Sequence, residues 1–331
     1  MRAVRHLGAA LAGLVVLGAC GSSEADPSST STTSTTLTTL TTLDRYVERA
    51  RIPAEEPAAL ALDRDGSLLI GERRSGRILR VPSEQLDTAR PTSEQVARVD
   101  VATEGQQGLL GLAVTPDGSL LAGMTRPGPG PARQVVARVV PAGEPEPVWI
   151  GPVAAAEAIG GRLAVTPEGR VLIGLGDFLR GPAGEFEPDE PYSKLLSLDP
   201  AGPPDQEPFV VSEGWYNPFA FAVAPDGAVW VADNAPGDTP ERIGRGDGAG
   251  PVREMDRERA PSGLAVLGEG ELAVCGVVSG VLELVPVVDG EVREPTELLA
   301  DRCRLGVLPL GDGALAVALD DAVQVLELRS P

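Results

Sequence analysis

Histidine is almost missing from this chain. Of 331 residues only His6 carries an imidazole, and it sits at the extreme N-terminus. Proton transfer near neutral pH relies on histidine more than on any other side chain. Hydrolysis by a Ser-His-Asp triad is therefore excluded for everything downstream. Cysteine is scarce too. The three residues are Cys20, Cys275 and Cys303, with no Cys-x-x-Cys pair, too few for a cysteine-rich zinc site. Positive charge is also in deficit: 28 Lys and Arg face 48 Asp and Glu, a net charge of −20. Nucleic acid needs a basic face, so it is not an expected partner. What the chain does have is 42% hydrophobic residues, enough for a folded core, and 40 Gly with 31 Pro. That much Gly and Pro without a collagen period fits tight turns between short strands. The acidic balance suits a solvated surface and is compatible with bound calcium.

The N-terminus reads as an export signal. Arg2 and Arg5 precede an apolar run, Leu7 to Leu17. That run is shorter than the about 20 residues needed to span a bilayer, so it fits a secretory signal. It ends Leu17-Gly18-Ala19-Cys20-Gly21, which resembles the lipobox of bacterial lipoproteins. Residues 1–19 are then a cleaved signal, and Cys20 is the lipidated first residue of an extracytoplasmic, membrane-anchored protein. Residues 20–45 are rich in Ser and Thr and cannot bury a core, so they read as a disordered tether. In an oxidising compartment Cys275 and Cys303 are expected to be bridged, with two buried thiols as the alternative.

From residue 46 to residue 331 the decisive feature is an internal repeat. Six copies of an apolar strand, a Gly-containing turn and a second apolar strand occur. The clearest are Leu60 to Gly71, Leu112 to Gly123, Leu163 to Gly174 and Phe221 to Ala232. Leu264 to Cys275 and Gly306 to Val317 complete the set. Their turn glycines, Gly66, Gly118, Gly169, Gly227, Gly270 and Gly313, recur at intervals of 43 to 58 residues. Pro-Asp-Gly and Pro-Glu-Gly turns between Val, Leu and Ala runs specify β-hairpins. Three or four strands per repeat make one propeller blade, and six blades close into a ring without a free sheet edge. The expected fold is all-β, a six-bladed β-propeller over residues 46–331. A solenoid is the alternative that the period also allows. Small residues such as Gly111, Ala113, Gly161, Ala164, Gly263 and Ala265 fit crowding around a central channel.

Three segments are more specific than propeller turns: Gly105 to Gly118, Gly160 to Asp177 with Lys194 to Pro200, and Gly214 to Asp238. In order and spacing they resemble the glucose/sorbosone dehydrogenase family, six-bladed quinoproteins that oxidise aldoses with pyrroloquinoline quinone and calcium. The resemblance implies a substrate or cofactor pocket at one mouth of the channel, with Gln106, Arg162, Tyr216 and Asn217 in it. It implies that Asp177 matches the aspartate that orients the general base. It implies a calcium loop, for which Asp233, Pro236, Asp238 and Glu241 are the candidates, off the family's spacing. The departures are chemical. The family's general-base histidine falls at Ala158, and its quinone-contacting arginine falls at Tyr216.

Three readings follow. The first is a catalytically degenerate propeller that binds a sugar-like small molecule or an envelope protein. The second is a dehydrogenase using a carboxylate base, with Asp177, Glu157 or Glu213 as candidates. The third is a calcium-dependent lactonase-type hydrolase whose metal would sit among Asp177, Asn217, Asp233 and Asn234.

Overall fold

The computed structural model describes residues 46–180, 186–187, 189–248, 252–255, 258–268, 270–311 and 313–328. His6, the lipobox at Cys20 and the Ser/Thr tether lie outside the described residues. Each repeat copy folds as the innermost hairpin of one antiparallel sheet, and there are six such sheets. The inner strands are Ala59–Leu62, Leu109–Val114, Leu163–Val165, Ala220–Val223, Pro261–Gly268 and Gly306–Gly311. They belong to blades 1 to 6 in that order. Every inner strand packs against the next, and the last packs against the first, so the ring is closed. Closure of the chain is made in blade 6. There the first strand, Tyr46–Pro53, pairs antiparallel with the last, Ala322–Leu328, in a register that sets Ile52 opposite Val323. The all-β six-bladed propeller expected from the repeat is the fold observed, and no solenoid edge is left open.

The hairpin turns follow their chemistry. The six turn glycines all have φ between 76° and 90°, where a Cβ would strain the backbone. At Gly118, for example, the N–H donates to the Thr115 carbonyl at 2.8 Å, which closes the turn. Second strands do not alternate between buried and exposed. Leu68–Gly71, Val171–Leu175, Val229–Asp233 and Ala314–Ala318 are buried at every position. Each blade is covered on both faces by its neighbours, so both sets of side chains go into a core. Outer strands such as Glu94–Arg98 and Phe209–Glu213 are largely open to solvent.

The small residues mark where blades meet. A Cβ on Gly111 would stand 2.5 Å from the Leu163 nitrogen, and one on Gly263 would stand 2.6 Å from the Gly306 Cα. Cys275 and Cys303 form a disulfide with Cα atoms 5.4 Å apart. It ties blade 5 to the segment entering blade 6, and both cysteines are fully buried among Leu282, Leu315 and Val317.

Candidate functional site

Two positions of the repeat build one mouth of the channel, called upper here. The residue eight places before the turn glycine contributes Ala58, Leu110, Phe219, Ser262 and Leu305 in five of the six blades. The residue seven places after the turn glycine contributes Arg73, Asn234 and Val277. With Gly105, Gln106, Ile159, Gly160 and Asn217 they enclose a pocket of about 240 Å³. Its wall is mostly apolar, and its polar groups are few.

Gln106 is exposed and locks one rim of the pocket. Its Nε2 donates to the Glu157 carboxylate at 3.2 Å, and its Oε1 accepts from the Ala158 N–H at 2.9 Å. Ala158 stands in the left-handed region, at φ 50°, so this loop is held in a strained turn. Asn217 is 6% exposed. Its N–H donates to Asp233 Oδ1 at 2.8 Å, but its own Oδ1 is buried without a hydrogen-bond partner. A buried acceptor left unpaired is costly. Arg73 is the one cation in the lining, and its donors are committed. It pairs with Glu56 at 2.5 Å and donates to the Gly105 and Gln107 carbonyls at 2.8 and 3.1 Å.

The remaining residues named from the sequence lie elsewhere. Arg162 belongs below the pocket, where its guanidinium crosses the channel. Tyr216 does not line the pocket; the Arg242 guanidinium lies over its ring, 5.1 Å from the centroid. Asp177 is 2% exposed and also outside the lining. Its N–H donates to the Tyr216 carbonyl at 2.7 Å, and its Oδ1 accepts from the Leu179 N–H at 2.9 Å. Burial, with a smaller push from the charge of Asp233, raises its carboxyl above the ordinary aspartate range. Glu157 is exposed on the Gln106 rim, and Glu213 ends an outer strand, 67% exposed and paired with Lys194 at 3.9 Å. None of the three carboxylates considered as a base is part of the pocket wall.

Of the four residues considered for calcium, Asp233, Pro236, Asp238 and Glu241, the first and last have carboxylates engaged within the protein. Asp233 is 0% exposed; it accepts from the Tyr216 and Asn217 N–H groups and pairs with Arg242 at 2.5 Å. Glu241 accepts from the Arg259 and Ala260 N–H groups at 2.7 and 2.6 Å. Asp238 and Glu241 line a separate shallow cavity with Glu258, away from Asn217. Among the described residues no three His, Cys, Asp or Glu side chains are placed to hold a metal. Loop architecture engages two of these carboxylates: Asp233 and Glu241 cap backbone amides that would otherwise be orphaned. Of the set considered for a lactonase, Asn217 and Asn234 line the pocket, while Asp177 and Asp233 lie outside its lining.

One substitution separates these roles. Asp177→Asn is expected to leave stability at neutral pH unchanged or raise it by up to about 1 kcal/mol. The sign follows from the raised carboxyl. Its burial penalty is absent below the unfolded-state value near 3.8 and grows as pH rises from there through the higher folded-state value. Asn is neutral throughout and keeps the acceptor for Leu179. Denaturant titration of both proteins at pH 4 and pH 7 checks it; a marked loss at pH 7 would mean that the charge itself is needed.

A closed six-bladed propeller with one mouth shaped into a small pocket defines the class of protein. Within it, the model of the glucose/sorbosone dehydrogenase family matches residues 54–247, and the chain belongs to that family. No curated protein matches it in sequence. Among solved structures, the PQQ-bound aldose sugar dehydrogenase of Streptomyces coelicolor superimposes with a TM-score of 0.68 at 23% identity, over 86% of this chain and 97% of that one. The soluble aldose sugar dehydrogenase of Escherichia coli, in its apo form, gives 0.69 at 19% identity, over 86% and 99%. At these identities the likeness establishes the fold.

The family implies a quinone and calcium, and the described residues do not fit either. A quinone bearing three carboxylates calls for cations or free N–H donors, whereas Arg73 is already paired and the wall is otherwise apolar or amide. Calcium calls for six to eight oxygens, and the nearby carboxylates are held by backbone amides and Arg242.

Proposed function

We propose that this chain is a non-catalytic member of its family that binds a neutral, sugar-like molecule at the upper mouth. It would do so outside the cell, tethered by lipid at Cys20. The observation that carries the reading is the polar inventory of the pocket. Besides Arg73, the polar side chains of the lining belong to Gln106, Asn217, Asn234 and Ser262, and none of them can take a proton at neutral pH. Amide groups both donate and accept, which matches the hydroxyls of a sugar. Leu110, Ile159 and Phe219 supply the apolar wall against which a sugar ring face packs.

Asn217→Leu tests this. Losing one amide of the lining should weaken aldose binding about tenfold. The same change should leave folding stability level or higher, since it removes an unpaired polar atom. Calorimetric titration across a panel of aldoses and polyols, alongside denaturant melts, reads both quantities. If no neutral polyol binds, or if the variant binds as well as the native protein, the pocket is not such a site.

A further inference from the structure

Arg162 crosses the channel from the start of the blade 3 inner strand. Its Nε donates to the Phe219 carbonyl at 3.1 Å, and its Nη2 donates to the Ser262 and Leu305 carbonyls, both at 2.8 Å. The guanidinium also lies over the Phe219 ring, 4.4 Å from its centroid. Phe219, Ser262 and Leu305 line the upper pocket, while Arg162 lines a second space of about 370 Å³ beneath it.

This charge is buried and unbalanced. Arg162 is 8% exposed. Burial, with no carboxylate beside it among the described residues, lowers its guanidinium to about 10, so it stays protonated at neutral pH. A buried cation is costly unless it is paired. Carbonyl dipoles offset part of that cost but bring no opposite charge. Three of the five guanidinium N–H groups are spent on those carbonyls. The two on Nη1 have no acceptor among the described residues.

The space below Arg162 is edged by backbone. The inner strand is the terminal strand of every sheet, so one side of it has no strand partner. In an antiparallel pair, alternate residues turn both N–H and C=O to the same side. In blade 4 the Ala224 N–H donates to the Ala228 carbonyl at 2.7 Å, so Ala222 and Ala220 bond within the blade and Phe221 turns to the channel. The same alternation turns Leu264 and Val307 inward in blades 5 and 6. Each follows by two residues a carbonyl that holds Arg162, and all three residues line the lower space. The next inward backbone groups beneath the guanidinium on these blades are therefore N–H donors.

We propose that Arg162 anchors a binding site for a single halide ion, chloride in ordinary salt solution, in the lower channel. The ion takes the two Nη1 donors together with the inward N–H groups of Phe221, Leu264 and Val307. It supplies the negative charge that Arg162 lacks. The donor set selects a sphere over a plate. A carboxylate binds arginine as a fork, on two nitrogens at once. Here Nε and Nη2 are already given to carbonyls, and one nitrogen is left. Single donors converging from several blades suit a spherical acceptor. The net charge of −20 opposes an anion at long range, but salt screens that field beyond about 8 Å. This site is independent of the upper pocket and of the function proposed for it.

The test uses the full chain carrying Cys20→Ser, which keeps attached lipid off the sample. The linewidth of the chloride NMR signal reads exchange between bulk and bound ion. The native protein should broaden the line, and bromide should compete that broadening away. Formate at equal concentration should compete about tenfold less well, because its fork finds one nitrogen only. Arg162→Gln, which keeps a donor for one carbonyl, should abolish the broadening that bromide removes. Anomalous diffraction from crystals grown in bromide locates the ion, and the expected peak lies at Nη1 of Arg162. That peak decides if the variant does not fold. No bromide-sensitive broadening, formate competing as well as bromide, broadening that persists in Arg162→Gln, or bromide peaks with none at Nη1 would each overturn the proposal.

Discussion

Replacing Asp233 by alanine is expected to cost about 3–5 kcal/mol of folding stability, the usual range for breaking a buried ion pair. Three bonds meet on this one side chain. Oδ2 accepts from the Tyr216 N–H at 3.0 Å, Oδ1 accepts from the Asn217 N–H at 2.8 Å, and Arg242 pairs with it at 2.5 Å. The carboxylate is fully buried, so water cannot replace it for the two amides. Each orphaned amide costs about 1–3 kcal/mol. Arg242 keeps 27% exposure and its places over Trp215 and Tyr216, so its share of the loss is smaller. Asp233→Asn retains an acceptor for one amide and should cost about half as much. Because these amides belong to the segment that carries Asn217, ligand binding at the upper mouth should fall with stability. Urea denaturation measures the first effect and calorimetry the second. A loss under about 1 kcal/mol for Asp233→Ala would mean that the segment is held by something else. Calcium should leave the melting of the native protein unchanged, since Asp233 is already occupied.

The fold was legible because its signal is repeated. One Pro-Asp-Gly turn is weak, but six turns whose glycines all adopt positive φ leave little choice of hairpin, and six hairpins leave little choice of ring. The site was legible in part. Gln106 and Asn217 were found through motif resemblance, and both line the pocket. Arg73 was missed, although the repeat itself points to it. The position seven after the turn glycine is Arg73 in blade 1, Asn234 in blade 4 and Val277 in blade 5, and all three line the same cavity. The register of the repeats carries that information, and no single motif does. The carboxylates named for a metal show a different limit. Sequence shows a carboxylate but not what already bonds to it. Asp233 and its repeat equivalent Glu72 are both 0% exposed, and each is occupied by an arginine and backbone N–H groups. Tyr216 illustrates the same limit: its position along the chain matches a cofactor-contacting arginine, while its ring is turned under Arg242.

Aldose oxidation is expected to be absent. Hydride leaves the C1 carbon of a sugar readily only as the C1 hydroxyl gives up its proton. The acceptor for that proton must stand within about 2.6–3.2 Å. At the corresponding position this chain presents Ala158, whose N–H is bonded to Gln106 and whose side chain is a methyl group. The other carboxylates considered for the task are buried under the strand ends or lie outside the pocket wall. Losing a general base alone costs about 10²–10⁴ in rate. The absence of an uncommitted cation in the pocket adds a loss of charge stabilisation where negative charge would develop on a quinone. Dye reduction by the purified protein, supplied with pyrroloquinoline quinone, calcium and glucose, measures this directly. The expected rate equals that of a control holding quinone and calcium without protein. Saturable turnover in the ordinary enzyme range, about 1–10³ s⁻¹, would contradict it and would make the chain a working sugar dehydrogenase.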